Sequence, residues 1–405
     1  MLKYIDGGVC APLGFKGAGI HCGFRKNQSK KDLALIYSEA PCTAAAVYTQ
    51  NLVKGAPLGV TKAHLADGRA QALICNSGNA NTCNANGVYI AETTCELLAA
   101  QLGIAPQDVI VASTGVIGVE MTMAPFEAGI GPLVSSLAAG NSAAVAEAIM
   151  TTDTKMKQCA VSFTLGGREC HLGGVAKGSG MIHPNMATML VFITGDCAIS
   201  AGMLQKALSA DVQDSFNMIS VDGDTSTNDM VSVMCNGLAG NAPIDSEGED
   251  YDAFCAALAA VTKTLCKAIA ADGEGASKLL ACTVSGAVDK PAARAAAKSV
   301  VCSALLKSAM FGADANWGRV LCAIGYSGAD VDVSKIGVVF KSAAGSVEVC
   351  RDGSGVPFSE EEAKKVLSES EIDILVTAGD GPGEATAWGC DLTYEYVRIN
   401  GDYRT

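Results

Sequence analysis

Short apolar runs alternate with longer stretches in which apolar residues recur every three or four positions, and this alternation continues along the whole chain. Runs of the first kind predict strands at Leu33–Ser38, Gln71–Cys75, Asp108–Ala112, Met189–Thr194, Val231–Cys235, Val320–Ile324 and Ile372–Val376. Stretches of the second kind predict helices over Thr93–Leu102, Ala143–Met150, Tyr251–Ala271, Pro291–Met310 and Glu360–Leu367, several of them spaced to lay one face on a sheet. Pro291 suits a first helical turn, where its missing N–H breaks no bond, and Ser359 followed by acids reads as a helix start. The order of elements is that of an α/β protein with mixed sheets rather than a doubly wound parallel one. No internal repeat or low-complexity linker interrupts it, and the most polar stretch, Asn241–Asp250, reads as a surface loop. Near its end the chain alternates over Tyr394–Ile399, which predicts a last strand, and closes on Asn400–Thr405.

With 405 residues the chain is long enough to bury a large core in more than one lobe. It is 49% hydrophobic but only 5% aromatic, so that core is built from Ala, Val, Ile and Leu. A net charge of −13 argues against a nucleic-acid or membrane partner, since both demand a basic surface. The opening residues carry an early acid and scattered glycines instead of the apolar stretch of a signal peptide, and no run suggests a membrane-spanning helix. The 17 cysteines include no C-x-x-C and mostly sit in apolar runs, as at Cys75 and Cys322, which fits reduced core residues in a cytoplasmic protein. Only 4 histidines occur, none in an H-x-x-x-H pair, and the acidic segments lack EF-hand spacing, so no metal site is expected.

The most unusual segment is Val175–Asp196. A Gly178-Ser179-Gly180 turn leads through Pro184-Asn185 to Ala187-Thr188 and straight into an apolar strand. A threonine so placed can attack the preceding carbonyl, giving an ester that water cleaves. The new N-terminal threonine then owns a nucleophilic hydroxyl and an adjacent amine to act as base. Threonines also begin strands routinely, so the pattern alone leaves both readings open. Ser113-Thr114-Gly115 ends an apolar strand, where a hydroxyl and a glycine amide can converge on the oxyanion of an acyl transfer. Thr151 opens a Thr-Thr-Asp-Thr segment after a helix, and Lys177 precedes the glycine turn, a sensible place to grip a carboxylate. Glu274 is flanked by Gly273 and Gly275, which leave its carboxylate open to an ammonium. Asn400 and Thr405 carry donors and acceptors suited to an amino acid's carboxylate and amide. Each also has a plain reading, as turn, solvated charge, helix cap or frayed end. Val221–Asp229 and Asn76–Asn86 are rich in turn-forming residues and receive no catalytic role.

Residues Lys177–Leu190, KGSGMIHPNMATML, resemble the cleavage region of the ornithine acetyltransferase (glutamate N-acetyltransferase) family of arginine biosynthesis almost residue for residue. The resemblance covers essentially the whole chain, through GGVCAPLGFKGAGI, DLALIYSE, CNSGNANTCN, STGVIG, TTDT, SVDGDTSTND, DGEGASKLL, FGADANWGR and YVRINGDYRT. It implies an α/β fold, an α-β-β-α sandwich of the self-processing aminopeptidase and ornithine acetyltransferase type with a smaller C-terminal lobe. It implies self-cleavage between Ala187 and Thr188 into an α chain, 1–187, and a β chain, 188–405, whose strands share a sheet and which assemble as two of each. Carried over residue by residue, it makes Thr188 the nucleophile and Thr114 and Gly115 the oxyanion hole. Thr151, Lys177, Thr188, Glu274, Asn400 and Thr405 become the substrate-binding set. Gly401 departs from the family, where alanine is commoner, and loosens the tail slightly.

The implied reaction is ping-pong. Thr188 takes the acetyl group of N2-acetyl-L-ornithine and passes it to L-glutamate, with no cofactor. No residue decides whether acetyl-CoA also serves as a co-substrate. Two other classes compete: an N-terminal-nucleophile hydrolase that gives the acyl group to water, and a binding protein whose Ala187–Thr188 bond stays intact.

Overall fold

The computed structural model describes residues 2–183 and 189–402. The chain divides into two compact units, the first formed by Met1–Gly178, Pro184–Phe216 and Thr225–Leu265, the second by Ser179–His183, Asn217–Asp224 and Cys266–Thr405.

The first unit holds a sheet of strands β1 (Lys3–Ile5), β2 (Phe15–Ile20), β3 (Leu33–Tyr48), β4 (Arg69–Asn79), β5 (Val109–Val116), β6 (Lys157–Leu165), β7 (Arg168–Lys177), β8 (Leu190–Gly195) and β10 (Met230–Cys235). They run in the order β1-β6-β7-β8-β10-β3-β4-β5, with β2 added to β3. Successive side chains point to opposite faces of a strand. Leu35, Ile74, Val109 and Val111 accordingly join one core cluster with the helix at Gly87–Leu102, while Ile36, Leu73, Ile110 and Phe192 join another with the helix at Ser142–Ile149. Because both faces are covered, every residue of β8 and β10 is buried, which explains their unbroken apolar runs. β8 pairs antiparallel with β7 and parallel with β10, so strands from before and after residue 188 share this sheet, as expected.

The second unit carries β9 (Ile219–Ser220), β11 (Leu279–Ala287), β12 (Gly337–Ser342), β13 (Gly345–Arg351), β14 (Ser354–Gly355), β15 (Glu371–Thr377) and β16 (Gly383–Cys390), in the order β14-β13-β12-β15-β11-β16-β9. Here only one face is deeply buried: along β15, Ile372, Ile374 and Val376 point into the core, and Glu371, Asp373 and Thr377 point out. The expected α/β class, with mixed sheets and a smaller C-terminal lobe, is what the chain adopts.

Two predicted strands are helices. Val320–Ile324 lies in a helix, Trp317–Gly325, because Val320, Ala323 and Ile324 are buried at helical spacing while Cys322 faces outward. Tyr394–Ile399 lies in the helix Tyr394–Gly401. Thr393 caps it by accepting from the Glu395 N–H, and Glu395 pairs with Arg398 one turn on. The predicted helix Pro291–Met310 is two helices, Lys290–Cys302 and Ala304–Phe311, parted at Ser303, which caps the second through the Leu306 N–H. Glu249–Ala271 is long and apolar enough to cross a membrane, which the sequence reading missed. Phe254, Leu258, Val261, Leu265 and Ile269 are wholly buried in it, as in the core helix of a globular protein.

Candidate active site

In the first unit β4 and β5 run parallel and in register from Ala72 opposite Val109 to Gly78 opposite Gly115, where the pairing slips. Val109–Ala112 are fully apolar and buried, so the chain change to Ser113-Thr114-Gly115 marks the end of the core and the start of a polar rim. That rim is held from several sides. Ser113 Oγ donates to Asn76 Oδ1 at 2.6 Å, and Asn228 Nδ2 donates to the carbonyls of Ser113, at 3.0 Å, and Ala80, at 2.5 Å. Thr82 Oγ1 in turn donates to Asn228 Oδ1 at 2.6 Å. Gly115 has φ +131°, and a Cβ there would lie 2.3 Å from the Gly78 carbonyl carbon and 2.6 Å from the Asn79 nitrogen. No other residue fits without moving the backbone. Thr114, next to it, is largely buried at 8% exposure.

At the far end of β7, Lys177 and Thr151 meet around one carboxylate. Asp153 Oδ2 accepts the Thr151 N–H at 2.9 Å, and Asp153 Oδ1 accepts the Gly178 N–H and Lys157 Nζ, both at 2.7 Å. Burial alone would raise the Asp153 pKa, but Lys177, Lys157 and the bonds from Lys157 and Thr151 hold it down at about 2. Asp229 faces the same lysine and behaves oppositely. Burial pushes its pKa well up, against a bond from Ser226 and the charge of Lys177, and its Oδ2 has no hydrogen-bond partner among the described residues. Of the two acids near Lys177, one is held below the usual carboxylate range and the other is pushed above it.

In the second unit Glu274 lies over Gly180. A Cβ on Gly180 would come within 2.4 Å of the Glu274 carboxylate, so the glycine is what admits it. The Glu274 N–H donates to the Ser179 carbonyl at 3.0 Å, Ser179 Oγ donates to the Asp272 carbonyl at 2.6 Å, and Asn400 Nδ2 donates to Glu274 Oε2 at 2.8 Å. Two of the predicted residues, Glu274 and Asn400, therefore touch. Asp222 clamps the chain just ahead of the proposed cleavage segment, accepting the N–H groups of Met181, at 2.6 Å, and Ile182, at 2.8 Å. Met181 takes a left-handed φ of +56° there. The His183 ring sits 3.1 Å from Ser220 Oγ, and burial, with help from Lys298, lowers its pKa to about 4.

Ala187, Thr188 and Thr405 lie outside the described residues. The sequence reading gave no role to Asn76, Asn228, Asp153 or Asp222, which hold the predicted residues in place. Their signal was present in the asparagine-rich stretch, in Thr-Thr-Asp-Thr and in Val221–Asp229. The last of these is divided, Val221–Asp224 serving the second unit and Thr225–Asp229 the first. Burial raises the thiols of Cys42, Cys75 and Cys95 to about 12, so these are poor nucleophiles. No group of three or more His, Cys, Asp or Glu converges on a metal position among the described residues. A cavity of about 240 Å³ in the second unit, lined by Lys267, Glu371, Asp373 and Trp388 among others, contains none of the residues above.

An ArgJ family profile matches residues 16–405. The arginine biosynthesis bifunctional protein ArgJ of Symbiobacterium thermophilum is 50% identical over 406 residues, covering 100% of both chains. Its counterpart in Caldanaerobacter subterraneus subsp. tengcongensis is 48% identical over 405 residues, again 100% of both. Among solved structures, an arginine biosynthesis bifunctional protein argJ from Bacillus halodurans is 47% identical, with a TM-score of 0.50, over 52% of this chain and 98% of that one.

Proposed function

The chain belongs to the ArgJ family, and we propose that it is a glutamate N-acetyltransferase that carries the acetyl group on Thr188. The observation that carries this reading is the Thr114–Gly115 turn, a hydroxyl beside a glycine that the Gly78–Asn79 backbone keeps free of any side chain. Thr188 Oγ attacks the acetyl carbonyl of N2-acetyl-L-ornithine, and its proton passes to the Thr188 amine, which self-cleavage after Ala187 has freed. Thr114 and Gly115 receive the oxyanion. The C–N bond breaks, ornithine leaves with the proton, and an acetyl ester remains on Thr188. The amine of L-glutamate then attacks that ester, giving N-acetylglutamate and restoring the hydroxyl.

Thr151 and Lys177 bind the α-carboxylate end shared by both substrates, and Glu274, held by Asn400, takes the ornithine side-chain ammonium; Thr405 closes the set. No further cofactor is invoked, and acetyl-CoA is a second donor to be tried. The cut yields an α chain, 1–187, and a β chain, 188–405, which we place as two of each in the reducing cytoplasm, a setting that suits 17 free cysteines.

Purified protein given L-glutamate with N2-acetyl-L-ornithine, or with acetyl-CoA, should form N-acetylglutamate. Acetate released at the same rate without glutamate would instead make it a hydrolase. Asn400→Ala should raise KM for N2-acetyl-L-ornithine about tenfold, because a hydrogen bond to a charged group contributes roughly 1.5–3 kcal/mol. Steady-state kinetics with an unchanged KM would remove Asn400 from the binding set.

A further inference from the structure

Asp153 belongs to the first unit and has no part in the chemistry above, yet two of the substrate-binding residues are built around it. Its carboxylate is fully buried, and both oxygens are occupied, by the Thr151 N–H on one side and the Gly178 N–H and Lys157 ammonium on the other. Gly178 directly follows Lys177, and Lys157 stands opposite Ala176 in the β6–β7 pair. One side chain thus fixes the backbone on both sides of the proposed carboxylate site.

Charge sharpens the picture. Lys157 and Asp153 are a close ion pair with side-chain exposures of 1% and 0%. A buried cation is tolerated when an anion compensates it, and one carboxylate compensates one lysine. Asp153 feels the charges of both Lys177 and Lys157, so two ammoniums share one carboxylate and one positive charge is left over. Such an excess positive charge beside a buried, fully bonded carboxylate is an arrangement that selects a ligand carboxylate.

Resting on the transferase reading above, we propose that Asp153 is a positioning residue: paired with Lys157, it locks the Thr151 and Gly178 backbone so that the Lys177 ammonium meets the substrate α-carboxylate. The bland alternative is a structural ion pair that the substrates never feel.

Asp153→Asn alone strands two buried lysines, so the informative variant is Asp153→Asn with Lys157→Met, which removes the pair without changing net charge. Its KM for N2-acetyl-L-ornithine and for L-glutamate should rise together, roughly tenfold or more, while kcat on the processed enzyme falls less, since misplacement by about an ångström is enough for such a loss. Calorimetric binding of N-acetylglutamate should weaken by a similar factor. Wild-type KM values and affinity in a folded double variant would overturn the proposal. If the double variant does not fold, Lys157→Met alone decides. It leaves the Thr151 and Gly178 bonds intact but removes the cation that shares the Asp153 charge, so Lys177 alone offsets it and KM for both substrates should again rise roughly tenfold. An unchanged KM there leaves Asp153 a structural residue. Failure of the wild type to make N-acetylglutamate from N2-acetyl-L-ornithine is a different result, and counts against the transferase reading itself.

Discussion

Under denaturing conditions the purified protein will run as two fragments, the second beginning at Thr188, and Thr188→Ala will run as one. The physical case rests on what flanks the bond. β7 ends at Lys177 and β8 begins at Leu190, and those two residues are partners in the antiparallel register. The link between them therefore joins neighbouring strands, and cutting it removes no strand pairing. Upstream, Asp222 clamps Met181 and Ile182, and Val221 N–H donates to the Ile182 carbonyl at 2.7 Å. Met181 and Ile182, upstream of the bond, are thus fixed by hydrogen bonds, and β8, downstream, is an interior strand of its sheet. Thr188→Ala should also lose activity by on the order of 10⁴-fold or more, the usual consequence of deleting a nucleophile. Electrophoresis with N-terminal sequencing of the lower fragment checks the first point. A single intact and fully active wild-type chain would refute the mechanism.

The second large effect is expected at the turn after β5. Thr114→Ala, once processed, should lose about 10²–10³-fold in kcat with little change in KM, because an oxyanion donor acts in the transition state and not on bound substrate. Gly115→Ala should be worse. Its methyl group would meet the Gly78–Asn79 backbone at 2.3–2.6 Å, so β4 and β5 must part at the one place where their register already slips. Activity and self-cleavage should fail together in that variant while circular dichroism still reports a folded protein. Normal turnover in Thr114→Ala, with folding confirmed in the same way, would take the oxyanion role from this turn.

The elements most legible in the sequence were those whose pattern has one physical cause. Met230–Cys235 and Leu190–Gly195 read as strands because burial on both faces demands continuous apolar residues. Glu360–Leu367 was legible to the residue, since Ser359 caps it by accepting from the Glu362 N–H and three acids fill the first turn. The failures came where two periodicities overlap. Trp317–Gly325 is short, and Val320, Leu321, Ala323 and Ile324 read equally as a buried strand until Cys322 is seen to face outward. Tyr394–Gly401 buries no residue, so its cap and ion pair decide a conformation that apolar spacing could not.

For the site, a motif shared with a family pointed to Thr114, Lys177, Glu274 and Asn400, whereas Asn228, Asp153 and Asp222, which hold the predicted segments, could only be found in three dimensions. Asn228 reaches Ser113 across 115 positions of chain, and that Asn400 bonds Glu274, 126 positions away, was equally invisible in the sequence. Nothing local marks an asparagine as the partner of a residue so distant.

The place of β8 between β7 and β10 bears on how such a protein can be made and unmade. A free amino terminus two residues ahead of an interior strand is not something a gene starting at that codon could readily supply, since the initiator methionine would stand in front of the threonine. Folding as one chain inserts the strand by a unimolecular route, and the cut afterwards exposes the amine. From then on the two pieces share one sheet without a covalent link, so unfolding separates them and refolding becomes a second-order encounter. The melting temperature of the matured protein should accordingly rise more steeply with concentration than that of uncut Thr188→Ala.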